Sequence, residues 1–241
     1  MKAFIEWLKS LFKSYNETAQ DNKPPEAVKV TPWVPPSIKV KSNRNLVAKL
    51  EVKIDNMILE MNASRFKDAV ARKDGNTIVG LAAEALVAMN IREKTNNNDG
   101  EMVEMIQKTS GGTKGEFWCM YFSQTPVAYA ERKLGIVSKL YSSGSCASVR
   151  KHSATMAIDP KKSVYGDIWI WIYSATGLGH TGIFEAWIKK DEVAALNEGN
   201  TTAGKVGDKI IRDGGGAYQT ERAYETSKTS KMNLGMVIRP F

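Results

Sequence analysis

The period of the apolar residues changes along this chain, and that change constrains the fold more than any other feature. Up to about residue 134 they recur at helical spacing. After about residue 163 they gather in short runs rich in β-branched and aromatic side chains. Helices first and strands later predict an α+β domain, with N-terminal helices packed on an antiparallel sheet, and argue against alternating βαβ units. Helices are expected over 46–72, 77–89, 101–108 and 117–134. Asn76 and Asp99 are placed to cap the second and third, and Gly135 to end the fourth. Strands are expected at 167–173, 180–188, 193–200, 217–224 and 234–239. The clusters at 73–76, 96–100 and 111–115 read as turns and loops.

The first 45 residues have a different character. Phe4, Ile5, Leu8, Leu11, Phe12 and Tyr15 fall on one face of a short amphipathic helix over 1–15. Such a helix lies on a membrane surface, or docks on its own protein or a partner such as a virion component. Pro24, Pro25, Pro32, Pro35 and Pro36 then resist both helix and central strand, so 16–45 reads as a linker. The expected division is an amphipathic helix (1–15), a Pro-rich linker (16–45), a helical segment (46–76) and the main domain (77–241). No run approaches the 18 or more uninterrupted apolar residues of a membrane span. Glu6, Lys9 and Lys13 break the pattern of a signal peptide.

The formal net charge of +8 favours anionic partners. No nucleic-acid module accompanies it, so nucleic acid is not an expected partner. Only two cysteines and two histidines are present, which excludes a disulfide framework. Their positions offer no zinc spacing, and no calcium loop or phosphate loop is found, so neither metal nor cofactor is expected.

Cys119 opens the fourth helix behind a Gly-rich loop. A helix N-terminus carries partial positive charge and favours a thiolate, which makes a competent nucleophile. Taken alone, the residue reads equally well as a small buried hydrophobe. A nucleophilic thiol needs an imidazole. His152 sits among Arg150, Lys151 and Ser153 and reads as solvated surface. His180, between Gly179 and Thr181–Gly182 at the start of an apolar strand, is the better base. Glu198 and Asn200 are two apart in a strand, so both side chains share a face, and either is placed to orient the imidazole. The same residues would also suit a polar turn.

Taken together, these motifs resemble those of CHAP domains, the cysteine, histidine-dependent amidohydrolases/peptidases. Gly115–Glu116–Phe117–Trp118–Cys119–Met120–Tyr121–Phe122 is similar to the family's cysteine motif. Gly166–Asp167–Ile168 and Gly179–His180–Thr181–Gly182–Ile183 resemble its histidine region, and Glu198–Gly199–Asn200–Thr201 its third motif. Gly214–Tyr218, Arg222 and the run from Gly235 to Pro240 continue the likeness, as do Ile91–Glu93 and Asn97–Gly100 upstream. It covers about residues 77–241. The separations, 61 residues from Cys119 to His180 and 18 from His180 to Glu198, are typical of the family.

The resemblance implies a papain-like fold and a cysteine hydrolase of bacterial peptidoglycan, amidase or endopeptidase, of the phage endolysin or virion-associated kind. Such an enzyme acts from the host cytoplasm on release to the wall, or from the virion. Cys119 would be the nucleophile, His180 the base, and Glu198 or Asn200 the orienting group. Asp167 falls at a structural position. Trp118 stands where many members carry Gln as an oxyanion donor, leaving the backbone N–H of Cys119 as the remaining donor. Two other classes share these features: a non-catalytic phage structural or wall-binding module, and a deamidase or transglutaminase-type enzyme acting on proteins.

Overall fold

A computed structural model describes residues 41–173, 178–202, 214–224 and 232–241. The helix expected over 1–15 and most of the linker lie outside the described residues. The first described helix, α1 (Lys41–Arg72), already starts inside the stretch expected to be linker. It leaves helical geometry at Asn62 (φ −146°, ψ 39°), whose amide donates to Glu84 Oε2 at 3.3 Å. The unbroken helix expected there is therefore bent, with a side-chain bond to the next helix at the bend.

That next helix is α2 (Gly75–Ala88). Asp74, and not Asn76, caps it: Asp74 Oδ1 accepts from the Thr77 N–H at 2.9 Å. The Asn76 side chain is used elsewhere, donating to Asp167 Oδ1 at 2.8 Å. Helix α3 (Glu101–Thr109) starts behind Gly100 with no side-chain cap. The expected cap, Asp99, instead accepts from the Thr95 N–H at 2.9 Å and closes its own loop. Helix α4 (Cys119–Leu134) starts two residues later than expected and ends at Gly135, which is left-handed (φ 65°). A short α5 (Cys146–His152) and a two-residue strand β1 (Ala157–Ile158) occupy a stretch the sequence pattern left unread.

The remaining strands are β2 (Ile168–Tyr173), β3 (Gly179–Lys189), β4 (Val193–Thr201), β5 (Gly216–Ala223) and β6 (Met232–Ile238). They form one antiparallel six-stranded sheet in the order β1-β6-β2-β3-β4-β5. The architecture is therefore α+β. The period of two divides the apolar residues of β2 cleanly. Ile168 and Ile170 join the main core with the helices, while Trp169 and Trp171 join a second cluster with Phe184, Leu196 and Val237. Each such side chain, fully buried, contributes roughly 1.5–3 kcal/mol. Leu50, Ile54 and Ile58 of α1 belong to the same core as Ile78, Leu81 and Leu86 of α2, so the helical segment packs directly on the domain.

Close approaches fix how the helices meet the sheet. A Cβ at Gly199 would stand 2.5 Å from Phe122 Cβ, so glycine lets β4 lie against α4. At Gly166 (φ 92°) a Cβ would meet the Asn76 carbonyl oxygen at 2.0 Å, which only glycine avoids. Among the described residues no helix is long and apolar enough to cross a membrane.

Candidate active site

Cys119 is the first residue of α4, where backbone amides point out of the helix without intrahelical acceptors. Trp118 precedes it as the non-helical boundary residue. Its indole is completely buried, edge-on to Phe122, with Nε1 donating to Glu93 Oε1 at 2.8 Å. Trp118 is therefore part of the core. Glu93 Oε2 accepts from the Asn98 N–H at 2.9 Å. The loop before α3 and the start of α4 thus share one carboxylate.

His180 lies near the start of β3, opposite Trp171 of β2, whose ring stacks on it with centroids 6.3 Å apart. Its side chain is wholly buried, and Nε2 stands 2.9 Å from Glu198 Oε2. An ionised carboxylate only accepts, so Nε2 carries the proton in this bond. Nδ1 has no hydrogen-bond partner among the described residues. The Cys119 side chain lies near enough to favour the charged ring, and Nδ1, which Glu198 leaves uncommitted, is the nitrogen open to it. One nitrogen is thus held by an acid and the other left uncommitted.

A fourth residue completes the chain. Arg222 of β5, itself buried, donates from Nε to Glu198 Oε1 at 2.9 Å and from an Nη to Glu198 Oε2 at 2.7 Å. This two-point grip is the strongest geometry an Arg–carboxylate pair adopts. The same guanidinium reaches Thr201 Oγ1 at 3.3 Å. Burial pushes the Glu198 carboxyl up, but the charges of His180 and Arg222 and their hydrogen bonds outweigh it and bring it down to about 2. Burial likewise opposes a charged His180. The Glu198 carboxylate and its hydrogen bond, with the Cys119 side chain nearby, together push it up to about 9. His180 is consequently an imidazolium at neutral pH, the neighbour that favours a thiolate.

The structure brings Cys119, His180 and Glu198 together, and separates Asn200 from them. Asn200 adopts a left-handed backbone (φ 54°) where the β4–β5 register slips between Glu198 and Thr201. The strand alternation that would have put it beside Glu198 fails at that residue. Its amide lies 3.0 Å from Asn98 Oδ1. In the orientation that satisfies both of its ends, it donates to the Gly214 carbonyl at 2.9 Å and accepts from the Trp118 N–H at 3.2 Å. Asn200 thus holds the entrance to the cysteine helix and does not touch the histidine. His152, by contrast, is exposed, stacks on Tyr141 and contacts the Ser148 carbonyl.

Cys119 opens onto a cleft of about 560 Å³. One wall comes from the loop before α4 (Glu116, Phe117) and the other from the segment leading into α5 (Ser143, Cys146), with Leu178 and Gly179 at the start of β3. A Cβ on Gly179 would stand 2.6 Å from Cys146 Cβ, so glycine lets the second wall close against the strand carrying His180. Gln124 of α4 ties that wall down by donating to the Ser143 carbonyl. No disulfide joins Cys119 and Cys146. Among the described residues no group of three or more His, Cys, Asp or Glu side chains is placed to hold a metal ion.

Arg222 entered the sequence reading only as part of a resemblance, without a role. The signal that would have found it is the need of a buried, acid-bearing strand for a cation on its neighbour. Compared with models of protein families, with curated proteins and with solved structures, the chain finds no match.

Proposed function

We propose that the protein is a cysteine hydrolase of amide bonds, of papain-like CHAP character, and that its substrate is bacterial peptidoglycan. The observation that carries the hydrolase reading is the buried chain Arg222–Glu198–His180 leading to a helix-terminal Cys119 on an open cleft. The resemblance of the cysteine, histidine and Glu-Gly-Asn motifs supplies the substrate class, and the net charge of +8 suits an anionic wall. A phage endolysin or virion-associated lysin is the biological setting this favours.

In this reading the Cys119 thiolate attacks the amide carbonyl carbon, and the carbonyl electron pair moves to oxygen. The first-turn amides of α4 and the helix dipole face the developing oxyanion. The tetrahedral intermediate collapses, the C–N bond breaks, and the His180 imidazolium gives its proton to the leaving amine. Water then attacks the thioester. The now neutral His180 takes the water's proton, the acid product departs, and the thiolate–imidazolium pair is restored. Glu198 keeps the ring oriented throughout, and Arg222 keeps Glu198 ionised.

Purified peptidoglycan incubated with the wild type and with Cys119→Ala tests the proposal, with released fragments identified by mass spectrometry. Fragment release falling by about 10³-fold or more in the variant, with an unchanged melting curve, is the expected result. No fragments from walls of several chemotypes would turn the reading toward a protein substrate or a binding module. The masses name the bond, at the sugar–peptide junction or within the peptide.

A further inference from the structure

The chain is strongly basic, yet among the described residues lining the cleft the one charged side chain is acidic: Glu116. Its position is held from several sides. The fully buried Gln107 of α3 donates to the Glu116 carbonyl at 2.7 Å and to the Asn98 carbonyl at 3.1 Å. The Gly115 N–H donates to that same Asn98 carbonyl at 3.2 Å. Glu116 Oε2 accepts from Tyr121 Oη at 2.6 Å and from the Thr113 N–H at 3.1 Å. Tyr121 is buried, and its ring is held between Gly112 and Gly144, where a Cβ on either would collide with it.

Two consequences follow from this scaffold. The carboxylate is fixed without a cation, since the neighbouring Lys114 is engaged with Glu104 at 3.0 Å. Both of its bonds among the described residues fall on Oε2, so Oε1 keeps its acceptor capacity on a residue that lines the cleft. The Tyr121 hydroxyl also holds the carboxyl below its usual range, so the group is charged at any pH near neutral. Beside it, Phe117 and Leu178, both partly exposed, give the cleft apolar lips. An anion next to apolar surface is complementary to an alkyl chain ending in an ammonium group.

We propose that Glu116 recognises a primary ammonium group on the substrate, carried by an aliphatic side chain beside the amide that Cys119 attacks. The inference rests on reading the cleft as that of an amide hydrolase, and it narrows the substrate to amine-bearing peptides.

The test uses soluble fragments of lysine-type peptidoglycan, untreated and after acetylation of their free amines. Binding to Cys119→Ala is measured by calorimetry, and cleavage by the wild type is measured separately. Untreated fragments are expected to bind about tenfold more tightly than acetylated ones, the effect of one charge-assisted hydrogen bond. Glu116→Gln, placed on the Cys119→Ala background, should erase the difference. Glutamine still accepts from Tyr121 and Thr113, and a melting curve checks that the fold is kept. Equal binding of both materials, no binding of either, or a preference that survives Glu116→Gln overturns the proposal. Amine-dependent binding without cleavage would support the ammonium site and sink the hydrolase reading. Cleavage indifferent to acetylation would do the reverse.

Discussion

Two buried carboxylates, Glu198 and Asp167, each lie against an arginine, and they do different things. Asp167 accepts from Arg239 at 2.9 and 3.0 Å, from the Asn76 amide and from the Val164 N–H. Its partners are an arginine that reaches solvent, an amide and a backbone group, so the cluster clasps α2 to the start of β2 and the end of β6. Glu198 has an equally firm arginine, but its next partner is an imidazole. That ring stands close to a sulfur at the edge of a cleft. A buried ion pair alone therefore does not mark a site. What distinguishes the second is that it ends on a titratable ring and a thiol.

Removing each acid should separate the two most sharply. Glu198→Gln should lower kcat/KM about 10³-fold or more, by analogy with losing the acid of a catalytic triad. It should also move the His180 titration, followed by NMR, down from about 9. Asp167→Asn should lower the melting midpoint, at a cost of about 1–3 kcal/mol. It should leave the His180 titration in place. A loss of activity in folded Asp167→Asn as deep as in Glu198→Gln would break the distinction.

A smaller effect is expected from pH. The His180 pKa lies above its ordinary 6.5, so its contribution to stability is complete below that pH and is lost as pH rises through about 9. The Glu198 pKa lies below its ordinary 4.5, so its contribution is complete above 4.5 and is lost as pH falls toward 2. Melting curves across pH should therefore fall away on both sides, and kcat/KM should drop on the alkaline limb near 9. An alkaline limb near 6.5 instead would mean that Glu198 does not hold the ring charged. Least of all should follow from His152→Ala, whose ring is exposed: a change within about twofold in kcat/KM is expected for a surface substitution. A larger loss would relocate the base.

Much of this was legible in the sequence, for identifiable reasons. The three longer helices and the strands β2–β6 have enough residues for a period to show, and Gly135 ends α4 where a left-handed residue is needed. Helix α5 and strand β1 are too short to carry a period, and they pass unread. Caps were misassigned between near neighbours: Asp74 and Asn76 are both good cap residues, and the need of Asp167 for a donor decides between them. Cys119, His180 and Glu198 stood out by type and spacing. Asn200 did not fulfil its expected role because a left-handed backbone turns it out of the strand alternation, which local sequence does not announce. Arg222 and Glu116 take their meaning from partners far along the chain or across a loop.

Asn200 also ties the assembly of the site to the folding of the whole domain. It clamps the loop at Asn98, 102 residues earlier, as well as the Trp118 backbone and the Gly214 carbonyl, so the first two contacts form only after long loops have closed. The helix of Cys119 is held by local bonds, whereas the histidine, acid and arginine stand on strands 61 or more residues further along the chain. Partly folded chains would therefore carry a cysteine helix without the groups that arm it, so that reactivity at Cys119 reports completion of the fold.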